Sequence, residues 1–237
     1  MEDVALLPTL LGVARASGQQ PRFVELGALD GNVLSNTIML EKCFNWTGTL
    51  IEASPPNFDR LSRTPRSAAK VHSAICEGDG TSNSTVQMTN PKAISVAGQV
   101  DALTPAQIRG SGGNELLRKT STVRCQSLRS ILASSGHPRA QFLSLDVEGA
   151  ETLVLANANP SDFDVIMVEL TGHSEDDATR IEDLIVRDGT MRRARELWVP
   201  YSRIYVGQHV RELPVRNEHV HIFRRGQPPH RFNRTLQ

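Results

Sequence analysis

The chain has 237 residues, enough for one sizeable α/β domain with insertions and short for two. Its 26 basic and 26 acidic side chains cancel, so no global charge draws it to nucleic acid or membrane, and an aromatic content of 5% argues against a base-stacking platform. No apolar run approaches the roughly 20 residues that span a bilayer.

Met1-Glu2-Asp3 lacks the basic start of a signal peptide. Cys43, Cys76 and Cys125 are widely spaced and odd in number, making neither a zinc pattern nor a disulfide framework. The expected compartment is therefore reducing and cytoplasmic, with an upstream leader or anchor left open. Three glycosylation tripeptides, at Asn45, Asn83 and Asn233, decide nothing, because chance supplies such matches in a chain rich in Ser and Thr.

Residues 1–21 read as a helical cover, with Val4, Leu7, Leu11 and Ala14 on one side, lying over an edge of the sheet. A buried strand at Arg22–Leu26 then ends in a glycine turn, where the backbone can approach a ligand closely. Glu25, Gly27 and Gly31 give the spacing E-x-G-x-x-x-G; the G-x-G-x-x-G set that cradles a pyrophosphate is absent. An acid facing the ligand suits the ammonium-bearing methionine end of S-adenosylmethionine. Val33, Thr37, Leu40 and Phe44 recur at helical spacing, which puts Ser35 and Asn36 near a helix N-terminus with free N–H groups. The second strand, Gly48–Ile51, ends at Glu52, 21 residues beyond Gly31, where an acid can accept both ribose hydroxyls.

A helix over Pro55–Arg63 leads to a third strand at Lys70–Ile75. Ala74, Ile75 and Cys76, with Glu77 and Asp79 beyond, fall where a third loop flanks an adenine. Residues 77–122 are rich in Gly, Ser, Thr and Asn and read as an insertion folding over the site, with a strand or ordered loop at Ala93–Gly98 and a flexible break at Gly110–Gly113. A short helix at Leu128–Ser134 precedes a buried strand into Asp146, with Glu148 and Glu151 close behind. A fifth strand, Asp164–Val168, ends at Glu169 with His173 just beyond. Four acids, Glu25, Glu52, Asp146 and Glu169, thus follow four strands of a parallel, doubly wound α/β sheet whose ligands bind at the strand C-termini. Arg192–Val199 and Ser202–Val206 make an antiparallel closing pair around Pro200. From Arg187 onward eleven arginines stand against four acids, a solvated basic face or an anion-binding surface. His219–Phe223 offers one more strand in a basic extension at 207–237.

The stretch Phe23–Gly31, the run Trp46–Pro55 and above all the D-x-E-G-x-E segment at Asp146–Glu151 resemble the FkbM family of methyltransferases, over about Arg22 to Val206. The resemblance implies a Rossmann-like methyltransferase fold over 22–206. It also implies S-adenosylmethionine as cofactor and methylation of a hydroxyl on a sugar or small natural product. It assigns the methionine end to Glu25, Gly27, Asp30 and Gly31, flanked by Ser35 and Asn36. The ribose falls to Glu52, with Ala53 and Ser54 beside it, and the adenine to the neighbourhood of Ala74, Ile75 and Cys76; Asp146 lies between cofactor and acceptor. The insertion and the arginine-rich tail depart from the family pattern.

An alcohol needs a base or a metal to become a nucleophile at neutral pH. In one route Asp146 or His173 is the base and Glu148 orients the acceptor, although His173 in its loop also reads as surface. In the other, Asp146 and Glu169 hold Mg²⁺ or Mn²⁺, the hard cations that oxygen ligands favour. Partners are a small-molecule or saccharide acceptor rather than nucleic acid, and a homodimer is compatible. A non-catalytic module that keeps the fold is the alternative from another class; a nucleic-acid methyltransferase is weakened by the lack of an aromatic N-P-P-Y motif, and a nicotinamide dehydrogenase by the missing third glycine.

Overall fold

A computed structural model describes residues 2–76, 84–89, 97–103, 108, 120–136 and 138–215. In chain order the elements are α1 (Glu2–Ser17), β1 (Arg22–Leu26), α2 (Ile38–Phe44), β2 (Thr47–Glu52), α3 (Pro55–Arg63), β3 (Ala69–His72), β4 (Ala74–Ile75), β5 (Thr85–Thr89), β6 (Thr120–Gln126), α4 (Leu128–Ser134), β7 (Ala140–Leu145), α5 (Glu151–Asn157), β8 (Phe163–Glu169), α6 (Glu175–Val186), β9 (Met191–Arg193) and β10 (Ser202–Gly207). Seven strands form one sheet in the order β3-β2-β1-β7-β8-β10-β9. Pairing is parallel from β3 through β8, and β10 enters antiparallel between β8 and β9. This is the expected mostly parallel sheet with an antiparallel closing strand.

Strands covered on both faces read as nearly unbroken apolar runs, and here each run divides its residues by parity. Phe23, Phe142, Val165 and Met167 pack into one buried cluster with Leu6 and Leu10 of α1, Leu40 of α2 and Leu61 of α3. Val24, Leu143, Ile166 and Val168 pack into another with Ile131 of α4, Val154 of α5 and Ile181 of α6. Helix α1 therefore lies against the middle of a face, across β1, β7 and β8, and not over a sheet edge. Leu6 and Leu10 are fully buried, so the inward stripe is 6, 10 and 13, one position out of register with the expected 7, 11 and 14.

Three further expectations change. The helix after the glycine turn starts only at Ile38, because Leu34 takes a left-handed backbone (φ +59°) and Val33 is 50% exposed. The third strand breaks at Ser73, whose N–H donates to the Glu52 carbonyl; the chain then leaves the main sheet, and β4 joins β6 and β5 in a separate three-stranded sheet. That pairing sets Ala74 opposite Cys125 and overturns the reading of the cysteines: Cys76 and Cys125, 49 residues apart, form a disulfide with a Cα–Cα distance of 5.5 Å, leaving Cys43 free and exposed. Sequence spacing could not show this, because a strand pairing across the insertion creates the contact.

Of the insertion, β5, the 3-10 turn Val100–Ala102 and the start of β6 are described; Glu77, Asp79, Gly110–Gly113 and most of Ala93–Gly98 lie outside the described residues, as do His219–Phe223 and the chain beyond Val215. No helix among the described residues is long and apolar enough to cross a membrane.

Candidate functional site

Strand order reverses between β1 and β7: the chain leaves β1 for β2 and β3, then crosses back to β7. Such a switch point opens a crevice at the strand C-termini. Two turns meet there. Gly27 has φ +80°, and a Cβ on it would fall 1.7 Å from the Asp146 carbonyl oxygen, so only glycine lets the β1 and β7 turns touch. Leu29 (φ +53°) and Glu148 (φ +53°) hold left-handed backbones without being glycine. Each costs on the order of 1 kcal/mol or more, a strain that folds tolerate mainly at ligand-binding turns.

Glu52, at the end of β2, ties the first turn to the next helix. It is 5% exposed and accepts from Leu29 N (2.8 Å) and Ser54 N (2.7 Å). Burial pushes its carboxyl up to about 7, opposed by the backbone N–H groups of Ser54 and Leu29 and by the Asn57 side chain. Ser54 Oγ is buried with no partner among the described residues. Gly27, Ala53, Ala74 and Ile75 line one crevice with Met88 and Gln99 from the insertion and Val147 and Ala150 from the β7 turn. Met88 and Gln99 thus stand beside residues of the strand ends. The crevice encloses about 30 Å³, the space of a single water.

Glu25 is bonded to its own loop. Its carboxylate accepts from Ser35 Oγ (2.9 Å), Asn36 N (2.9 Å) and Thr37 Oγ1 (2.5 Å), and burial pushes its pKa up despite these bonds. Ser35 and Asn36 are thus gathered around Glu25, and Asn36 Nδ2 reaches on to Ser144 Oγ of β7 (3.2 Å). Asp30 caps its own turn, accepting from Asn32 N and Val33 N, and Gly31 packs on Leu61 of α3. A residue absent from the sequence reading, Arg66, locks this loop. Its fully buried side chain pairs with Glu41 at 2.8 Å and also donates to the Gly31 carbonyl, Ser35 Oγ and Thr37 Oγ1. Burial opposes the effect, but the Arg66 guanidinium and the Ser67 hydrogen bonds hold the Glu41 carboxyl below its ordinary range.

On the acceptor side, Glu151 opens α5 with no solvent exposure and accepts from Val147 N and Gly149 N, shaping the turn that carries Glu148. His173 is not surface: its side chain is 3% exposed, and Nε2–H donates to Glu151 Oε2 at 2.9 Å. This bond, with the charges of Glu151, Asp177 and Glu169, raises the imidazole pKa against the effect of burial. Nδ1 is buried with no hydrogen-bond partner among the described residues. Glu151 was legible only as a helix start; its contact with a histidine 22 residues away leaves no sequence signal. Asp146 and Glu169 follow the paired residues Leu145 and Val168 at adjacent strand ends, and Glu169 accepts from Thr171 N (2.9 Å). Among the described residues no group of three or more His, Cys, Asp or Glu is placed to hold a metal.

An α/β sheet of this topology, with strained turns and buried acids converging on its switch point, has the Rossmann-like methyltransferase fold. Residues 25–194 match the family model described as the methyltransferase FkbM domain, and the chain belongs to that family. The crystal structure of methyltransferase FkbM from Methylobacillus flagellatus KT is similar at 13% identity and a TM-score of 0.45, over 79% of this chain and 43% of that one. The chain thus spans less than half of that protein's length. No curated protein matches.

Proposed function

We propose that this methyltransferase uses S-adenosylmethionine to methylate a hydroxyl on a sugar or small natural product, within a catalytic unit at 22–206 that α1 covers. The observation that carries the reading is Glu52, a buried carboxyl at the end of β2 that accepts from Leu29 N and Ser54 N and whose pKa burial pushes up to about 7. Two features support the fit of a nucleoside: the ionised Glu52 accepts from a diol, and the orphaned Ser54 Oγ gains a partner. Ala53, Ala74 and Ile75 supply an apolar wall for a base. Because the crevice is water-sized, admitting the cofactor requires Met88 and Gln99 to withdraw.

The bound cofactor supplies an activated methyl on a sulfonium. The chain's part is alignment and proton removal. Gly27 and Asp146, locked backbone to backbone, set the floor between cofactor and acceptor. Glu25 and Arg66 hold the 31–37 loop that closes the methionine end. His173, with Nε2–H committed to Glu151, keeps Nδ1 as the base for the acceptor hydroxyl, and Glu148 orients the acceptor. Asp146 and Glu169 remain the pair that would hold Mg²⁺ or Mn²⁺, with water and acceptor supplying the other ligands. The Cys76–Cys125 disulfide favours an oxidising compartment over the cytoplasm.

The test is transfer of labelled methyl from S-adenosylmethionine to a panel of sugars and polyols. Label in an acceptor, lost in His173→Gln, supports the reading. Release of S-adenosylhomocysteine with no acceptor on any panel member would contradict it.

A further inference from the structure

Beside the β8 strand end lies a cavity of about 470 Å³, within the usual range for small-ligand sites. Its lining includes His173 and all of the segment Ala194–Tyr201 but Glu196, and this segment replaces most of the first strand of the expected closing pair. Because β10 runs antiparallel to β8 with Ser202 opposite Glu169, this segment is delivered to the same sheet edge as the candidate base. It is well anchored. Leu197 and Val199 are buried, and the Tyr201 carbonyl accepts from Leu170 N at 2.9 Å. The two aromatics between and after these anchors are turned outward: Trp198 is 52% exposed and Tyr201 67%. A fixed loop that spends two large aromatics on solvent beside a cavity marks a binding surface.

The charge of the lining is asymmetric. Arg193, Arg195 and Arg203 face one lining carboxylate, Glu175. Arg203 pairs with Glu175 (3.2 Å) and Glu182 (3.3 Å), and Arg193 shares Glu182 (3.5 Å). Arg195 has no carboxylate partner among the described residues, while its backbone N–H, bonded to Glu212 Oε2 at 2.8 Å, fixes where it stands. Arg195 stands between this cavity and a neighbouring one that it also lines with Glu196, Arg211 and Glu212, and Glu196 does not line this one. His173 adds positive charge when protonated.

We propose that this cavity is the acceptor subsite for an anionic sugar, a ring bearing a carboxylate or a sulfate: Trp198 and Tyr201 receive the apolar face of the ring, and Arg195 receives the anion. The inference rests on the hydroxyl-methylating reading above and narrows its substrate class. A neutral sugar would use the aromatics and leave Arg195 without a counter-charge. An aromatic anion without hydroxyls would bind and offer nothing to methylate.

Of the two tryptophans, Trp46 is buried and Trp198 exposed, so a ligand on this loop quenches the red-shifted part of the emission. The full chain is titrated with methyl glucuronide, glucose 6-sulfate and neutral methyl glucoside, and separately with S-adenosylhomocysteine by calorimetry. The expected result is saturable quenching by one or both anions, with little by the neutral sugar, and about tenfold weaker binding in Arg195→Gln. Trp198→Phe removes the signal, and calorimetry with the same sugars replaces it. Binding of only one anion identifies whether the site takes carboxylate or sulfate. Absence of anion binding, equal binding of the neutral sugar, or an unchanged affinity in Arg195→Gln overturns the inference. If S-adenosylhomocysteine binds while the anions do not, the subsite alone falls. If the anions bind and S-adenosylhomocysteine does not, the subsite stands and the methyltransferase reading falls.

Discussion

Glu52→Gln removes a charge at the end of β2 while keeping an acceptor oxygen for Leu29 N or Ser54 N. Burial raises the wild-type carboxyl from 4.5 to about 7, which favours the neutral form by about 3 kcal/mol. The contribution of the neutral acid is fully present below 4.5 and is lost as pH rises through about 7. Cofactor binding runs the other way, because a ribose diol presents two donors that only the ionised carboxylate accepts fully. Affinity then scales with the ionised fraction, and the dissociation constant is about tenfold weaker at pH 6 than at pH 8. Equilibrium dialysis with labelled S-adenosylmethionine across this range reads the effect directly. Glu52→Gln binds more weakly at pH 8 and shows no slope, and its melting temperature gains on wild type as pH rises from 5 to 8. A flat wild-type profile, or the same slope in the variant, refutes the reasoning.

His173→Gln lowers kcat by about 10² to 10⁴ while leaving cofactor affinity intact. The wild-type rate rises with pH through a value above 6.5, because the Glu151 hydrogen bond raises the imidazole pKa, and Glu151→Gln moves that limb down. Arg66→Met strands the buried Glu41 carboxylate and costs about 3 to 5 kcal/mol in urea unfolding, with weakened cofactor binding. Reducing Cys76–Cys125, which closes a 49-residue separation, costs up to about 4 kcal/mol on the chain-entropy argument, seen as a lower urea midpoint. Activity that survives EDTA assigns the chemistry to His173, and activity lost to EDTA and restored by Mg²⁺ assigns it to the Asp146–Glu169 pair.

The main sheet was legible because β1, β2, β7 and β8 are apolar runs with an acid at or next to their C-terminal ends: β1 and β2 match their expected positions to within a residue, as does α3. Glu52 was legible because strand-to-strand spacing in a βαβ unit is nearly fixed. What was not legible depends on contacts between distant residues. Arg66 reads as one more arginine after a helix until the fold sets it against Glu41 and the Gly31 carbonyl. His173 reads as a loop residue until Glu151 turns it inward. Cys76 and Cys125 meet only because β4 leaves the main sheet at Ser73. The early helix around Val33 failed for a local reason, since periodicity does not reveal that Leu34 adopts a left-handed turn.

The most direct test of the account is calorimetric titration of the wild-type chain with S-adenosylhomocysteine at pH 8, with Glu52→Gln alongside. The account predicts one site per chain with micromolar affinity, much weakened in the variant. No heat of binding to the folded wild-type protein, or equal affinity in the variant, would contradict it.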